Sequence, residues 1–218
     1  MLRTQARFKE TKLALTYGAS GIVVGALQRK LNSAGPTRLP RLSSDTVYGS
    51  LTMGRVMEFQ FLAKFPTSTT DGAVGPITQA KIDAAPTSAP APSGQVILVD
   101  LINERLRAYR GGVLQHDFKP IKGGSATDAS TRGVFKVFKA FRHHTSSKFP
   151  IPPGNMDFAL FYHGAEALHQ GPPTIPSHGC IHVEPSQAEK LFRWAGGTDK
   201  TAGGTVNDVM VIVLKRTK

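Results

Sequence analysis

The chain has one cysteine, and its neighbours are the residue types that nucleophilic acyl chemistry needs. Cys180 sits in the run Ser177-His178-Gly179-Cys180-Ile181-His182. A thiolate is a strong nucleophile, and a nearby imidazole supplies the base or the ion pair that generates it. His178 and His182 bracket the thiol. Tyr162-His163-Gly164 stands upstream, at the end of an apolar run. A histidine on a strand end, facing the cysteine from a neighbouring strand, would meet the need, and His163 is the candidate. Gly179 permits a tight backbone turn beside the sulfur, so that the N–H groups of Gly179 and Cys180 can converge on one oxyanion. Taken alone, a lone cysteine reads as a small buried apolar residue and His163 as a core histidine satisfied by a hydrogen bond. The surrounding run favours catalysis.

Composition narrows the field. A single cysteine forms no internal disulfide and excludes disulfide-stapled modules and multi-cysteine zinc folds. No apolar run approaches the roughly 18 residues that span a bilayer. The net charge of +12 points to an anionic partner. It divides evenly, +6 on each side of Ala85. No dense Lys/Arg run with interleaved aromatics appears, the nearest cluster being Lys136, Lys139, Arg142, His143, His144 and Lys148, so no nucleic-acid partner is expected. Met1–Lys12 carries basic residues with no apolar stretch behind them, so no secretory signal peptide is visible there.

Two units must position these residues. Ala84–Gly94 reads AAPTSAPAPSG, a composition that favours an extended linker. The expected division is 1–84, 85–94 and 95–218. In the first unit Ser20 can cap a helix with Val24, Leu27 and Leu31 on one face, ended by Gly35. A second helix is expected from Thr52 to Phe65, and a third after Thr78. Asp45-Thr-Val-Tyr-Gly49-Ser-Leu51-Thr52 matches Asp71-Gly-Ala-Val-Gly75-Pro-Ile77-Thr78 at a spacing of 26 residues. Each copy reads as a turn started by Asp and a helix capped by Thr.

The second unit reads as β-rich. Strands are expected at Val96–Val99, at Leu106–Ala108 and Leu114–Phe118 around a Gly111-Gly112 turn, at Val134–Phe141, at Phe158–Tyr162 and at Val209–Leu214. One helix, Pro185–Trp194, starts on proline and is followed by Gly196-Gly197. The fold class is therefore a small three-helix bundle followed by a β-rich sandwich or barrel-like domain with one or two helices.

Two family resemblances follow. Val24, Leu27-Gln28, Leu31-Asn32, Asp45…Gly49…Thr52, Phe59-Gln60 and Asp71–Thr78 resemble the three-helix peptidoglycan-binding domain. That resemblance implies binding to wall glycan or stem peptide, without catalysis. Val96–Leu214 resembles the L,D-transpeptidase catalytic domain. The carrying residues are His163, thirteen intervening residues, and Ser177-His178-Gly179-Cys180-Ile181, with support from Asn103–Tyr109 and from Thr131-Arg132-Gly133-Val134-Phe135. His182 stands where that family usually has Asn or Arg.

The resemblance implies a thioester mechanism without cofactor or metal. Cys180 would attack the L-centre–D-Ala bond of a tetrapeptide stem, with His163 as base, oriented by the Gly164 carbonyl. Ser177, His178 and Gly179 would shape the site. Tyr162 and His182 are candidate substrate contacts, Tyr162 reading equally as a packing residue. An amine would resolve the thioester in transfer or exchange, and water in carboxypeptidase action. The partner is then peptidoglycan, and the place of action the periplasm or cell envelope. A secreted antibacterial effector, with a secretion apparatus and an immunity protein as partners, also fits. The alternatives are a non-catalytic wall-binding protein and a metal-dependent wall hydrolase; the histidines and Asp157 could supply ligands, but no H-x-x-x-H spacing is present.

Overall fold

A computed structural model describes residues 14–88, 90–147 and 155–215. Met1–Lys12 and Lys148 lie outside the described residues. The described residues form four α-helices and two mixed five-stranded sheets.

The first unit holds α1 (Ile22–Ser33), α2 (Ser50–Leu62) and α3 (Pro76–Asp83). Val24, Leu27 and Leu31 do share the buried face of α1. The repeat acts differently from a helix cap. Gly21, Gly49 and Gly75 occupy the N-cap positions, without side-chain caps. Thr52 and Thr78 fall inside the first turns and accept hydrogen bonds from buried glutamines. Gln28 donates to Asp45 Oδ1 (2.7 Å), Val47 O (3.0 Å) and Thr52 Oγ1 (3.1 Å), and accepts from Thr46 N (3.2 Å). Gln60 does the same with Asp71 Oδ1 (3.2 Å), Ala73 O (3.0 Å), Thr78 Oγ1 (3.2 Å) and Gly72 N (2.9 Å). Each buried amide thus ties a turn to the helix that follows it. Such an amide is worth its burial only when its donors and acceptors are engaged, as these are.

The second unit is a sandwich. One sheet runs in the order β3 (Val113–Phe118), β2 (Arg105–Arg110), β1 (Gln95–Asp100), β10 (Val209–Leu214), β4 (Gly133–Lys136). The other runs β8 (Ile181–Val183), β7 (Glu166–Gln170), β6 (Ala159–His163), β5 (Lys139–Phe141), β9 (Ala202–Gly204). The expected strand Val134–Phe141 divides between the two sheets. Helix α4 (Pro185–Trp194) matches its expected bounds, with the Glu184 side chain accepting from Gln187 N. Between the sheets lies one core that includes Ile97, Leu106, Leu160, Tyr162, Leu168, Ile181, Val211 and, from α4, Leu191 and Phe192.

The outer face of the first sheet is covered by the helices. Val96, Leu98, Tyr109, Val134, Met210, Ile212 and Leu214 share a second core with Val24, Leu31, Leu39, Tyr48, Met53 and Val56. Burying those seven sheet side chains contributes on the order of 10 kcal/mol. Polar contacts add register: Arg38 reaches Asp208 Oδ2 (2.6 Å) and Gln95 O (3.2 Å), and Ser50 Oγ donates to Asp100. The stretch 84–94 therefore joins two units that are packed on each other. The basic cluster is also largely paired, Lys136 with Asp208 (2.9 Å), Arg142 with Asp199 (3.5 Å) and His143 with Asp157 (3.3 Å).

Gln60→Ala removes the amide and leaves the buried Gly72 N–H unpaired. It is expected to lower unfolding stability by about 2–4 kcal/mol in urea titration, within a single cooperative transition.

Candidate active site

The thiol lies on the outer face of the second sheet. β7 and β8 pair in parallel, with Leu168 opposite Ile181 and His169 opposite His182. Alternation along the strands sends Leu168, Ile181 and Val183 into the sandwich core. Ala167, His169, Cys180 and His182 take the opposite face, where a cavity of about 450 Å³ opens. The cavity is also lined by His144, Phe161, Glu166, Ser177 and His178.

The Cys180 turn is held by its own residues. Gly179 has φ of 110°, a value that side-chain-bearing residues rarely adopt. The buried Ser177 hydroxyl donates to Cys180 O and accepts from Gly179 N at 3.1 Å. The Gly179 N–H is therefore already engaged, which revises the expectation that Gly179 and Cys180 present two open donors. The Cys180 sulfur contacts Ala165 O at 3.7 Å. Burial pushes the thiol pKa up, the Ala167 N–H aimed at the sulfur opposes this, and the Glu166 charge raises it further.

His163 is not beside the thiol. The sequence reading placed β6 next to Cys180, but β7 intervenes and takes that position. His163 ends β6 and is about half exposed. Its Nδ1 lies 3.4 Å from Glu166 Oε1, and its ring packs on Phe135 at 4.9 Å. It does not line the cavity that holds Cys180. Gly164, with φ of 51°, forms the tight turn between β6 and β7, where His163 pairs with Glu166. Tyr162 is also redirected. It is 3% exposed, sits in the sandwich core and donates its hydroxyl to Glu166 Oε2 at 2.9 Å, so it presents no surface to a substrate. Burial, reinforced by Glu166, raises its pKa.

Four histidines line the cavity with Cys180, namely His144, His169, His178 and His182, and His169 is the one that β7, the strand paired with β8, presents on the same face. Its Nδ1 lies 2.6 Å from Gln170 O. A carbonyl only accepts, so Nδ1 carries the proton and Nε2 holds the free lone pair of a neutral imidazole. Burial, together with the like charge of a protonated His182, lowers the His169 pKa to about 4. His182 stays in the site. Its Nδ1 donates to Ile175 O at 3.0 Å, and its ring meets that of His169 edge-on at 5.1 Å. The signal for His169 was present in the alternation of Glu166-Ala167-Leu168-His169 after the Gly164-Ala165 turn. Among the described residues no three His, Cys, Asp or Glu side chains gather as a metal site, and no helix is long and apolar enough to cross a membrane.

A model of the YkuD family, the L,D-transpeptidase catalytic domain, matches residues 94–213. The chain belongs to this family. It is an L,D-transpeptidase, and peptidoglycan is the polymer it modifies. Among solved structures, it resembles the L,D-transpeptidase (residues 123-326) of Xylanimonas cellulosilytica at 28% identity and TM-score 0.40, covering 91% of this chain and 96% of that one. It resembles an L,D-transpeptidase of Stackebrandtia nassauensis at 21% identity and TM-score 0.46, covering 93% and 95%. It resembles L,D-transpeptidase 1 of Mycobacterium tuberculosis at 16% identity and TM-score 0.44, covering 59% and 64%. No curated protein matches the chain.

The transpeptidase's own acid sensitivity follows from His169. Its folded pKa lies near 4, below the ordinary 6.5. The unfolded chain therefore takes up the proton first as pH falls. The contribution is fully present above about pH 6.5 and is lost progressively down to about pH 4, up to about 3 kcal/mol in all. Urea unfolding at pH 7 and 4.5 is expected to show a smaller stability difference between the two pH values in His169→Gln than in the wild type.

Proposed function

We propose that Cys180 is the nucleophile and His169 the general base of an acyl transfer on tetrapeptide stems. The observation that carries this reading is the shared cavity of Cys180 and His169, with His169 Nδ1 engaged by Gln170 O. The raised thiol and lowered imidazole pKa values describe a neutral resting pair. The thiol proton passes to His169 Nε2 as sulfur attacks the L-centre carbonyl, and the C–S bond forms. The backbone turn at Cys180 faces the developing oxyanion; one such donor is worth about 3–4 kcal/mol. The tetrahedral intermediate collapses, the bond to the D-Ala nitrogen breaks, and the imidazolium returns its proton to the leaving amine. An incoming amine or water then attacks the thioester. Ser177 and Gly179 hold the turn, and His178 and His182 line the substrate's path.

We further propose that residues 1–84 form a wall-binding module, 85–94 a connection, and 95–218 the catalytic domain. The repeated glutamine-tied turns support the resemblance on which that division rests. The place of action in this reading is the cell envelope.

Mass spectrometry of muropeptides incubated with the protein is expected to show D-Ala loss, 3–3 cross-links or D-amino-acid exchange. Cys180→Ala should abolish these products, and His169→Ala should slow them by about 10²–10⁴-fold. His163→Ala should cost less than tenfold; a larger loss there than at His169 would return the base to His163. The full chain carrying Cys180→Ala should co-sediment with purified sacculi, and its failure to do so would remove the wall-binding reading alone.

A further inference from the structure

Glu166 is the one acid among the described residues that line the Cys180 cavity, and the mechanism above gives it no part. It is the first residue of β7, opposite His163 across the hairpin. Its carboxylate is well buried, with the side chain 17% exposed. Neutral donors satisfy it: Thr131 N at 2.9 Å, the Thr131 hydroxyl, and the Tyr162 hydroxyl at 2.9 Å. His163 Nδ1 stands farther off, at 3.4 Å. Its stem packs against the nucleophilic turn. A Cβ on Gly179 would come within 3.3 Å of Glu166 Cγ.

Among the described residues Glu166 has no Lys or Arg partner, and such a partly buried carboxylate carries a desolvation cost that a neutral side chain of the same shape would avoid. The hydrogen bonds to Thr131 and Tyr162 explain how the charge is tolerated. They do not explain why a charge stands there. Its neighbours give the reason. Among the described residues the titratable groups facing the thiol are Glu166 and His169 from β7, His182 from β8, His178 from the turn, His144 from beyond β5 and, behind the sheet, Tyr162. Activated cysteines usually gain a cation that favours the thiolate. Here the fixed charge is negative and opposes it.

Resting on the reading of Cys180 as nucleophile, we propose that Glu166 is a positioning residue that braces the Gly179–Cys180 turn and keeps the thiol protonated until substrate is bound. Burial raises the thiol pKa most, and the Glu166 charge adds to it. A neutral thiol resists oxidation and stray electrophiles, and its proton leaves only towards His169 as the carbonyl arrives. The thioester that follows carries no charge on sulfur, so the penalty from Glu166 disappears once the acyl group is in place.

Cys180 is the only thiol of the chain, so alkylation by iodoacetamide as a function of pH reads it directly. Glu166→Gln is expected to lower the alkylation midpoint by about one pH unit, with about tenfold faster alkylation at pH 7. Glu166→Asp keeps the charge and should stay near the wild type. A folded Glu166→Gln protein, verified by its melting curve, with an unchanged midpoint would overturn the proposal. Should that variant not fold, Glu166→Ala decides by the same readout: a lowered midpoint supports the proposal, and an unchanged one overturns it. Muropeptide products from Cys180→Ala would defeat the nucleophile reading separately, because alkylation does not depend on turnover.

Discussion

The site depends on the parallel pairing of β7 with β8. Leu168 opposite Ile181 sends both side chains into the sandwich core, where they are fully buried. Strand alternation then leaves no freedom for their neighbours. Ala167, His169, Cys180 and His182 must all emerge on the outer face. A slip of one residue would turn the cavity-facing set inward and the core set outward. The apolar core between the sheets thus sets the register of the chemistry outside it.

Around this pair, each polar group has a local partner that fixes its direction. Ser177 holds the turn through Cys180 O and Gly179 N. Gln170 O selects the His169 tautomer. The loop at Pro172–Ile175 anchors His182. Glu166 gathers Thr131 from the stretch before β4 and Tyr162 and His163 from β6, and it sits against Gly179. Most of these ties run to backbone groups, which move less than side chains and so keep the cavity's geometry defined.

The helical unit and the thiol occupy opposite faces of the sandwich. The helices cover the outer side of the sheet containing β1 and β10, and the cavity opens on the outer side of the sheet containing β7 and β8. The shared core across β1, β10 and α2 gives the chain a fixed relation between its two ends. An alanine- and proline-rich connection alone would have implied free movement. Composition reports only the tether, and the apolar outer faces of Val96, Leu98, Met210 and Ile212 decide what it joins.

Residue chemistry determined much by itself. The Ser177–His182 run singled out Cys180 as the candidate nucleophile, because Cys, Gly and His at adjacent positions have few other uses. Short continuous apolar runs located β1 and β10, and the proline at the start and glycines after the end bounded α4. The repeat at Asp45 and Asp71 was visible too, although its physical meaning was not. The glutamines that complete it lie 17 and 11 residues away from those aspartates, and only packing brings them together. The candidate base follows from tertiary structure. β7 is a five-residue strand, too short for its alternation to say which strand it pairs with, and strand order within a sheet is a property of long-range pairing. Sequence spacing measures distance along the chain. Whether His163 or His169 meets Cys180 depends on which strand lies between them, and that is settled by which apolar faces the sheets bury.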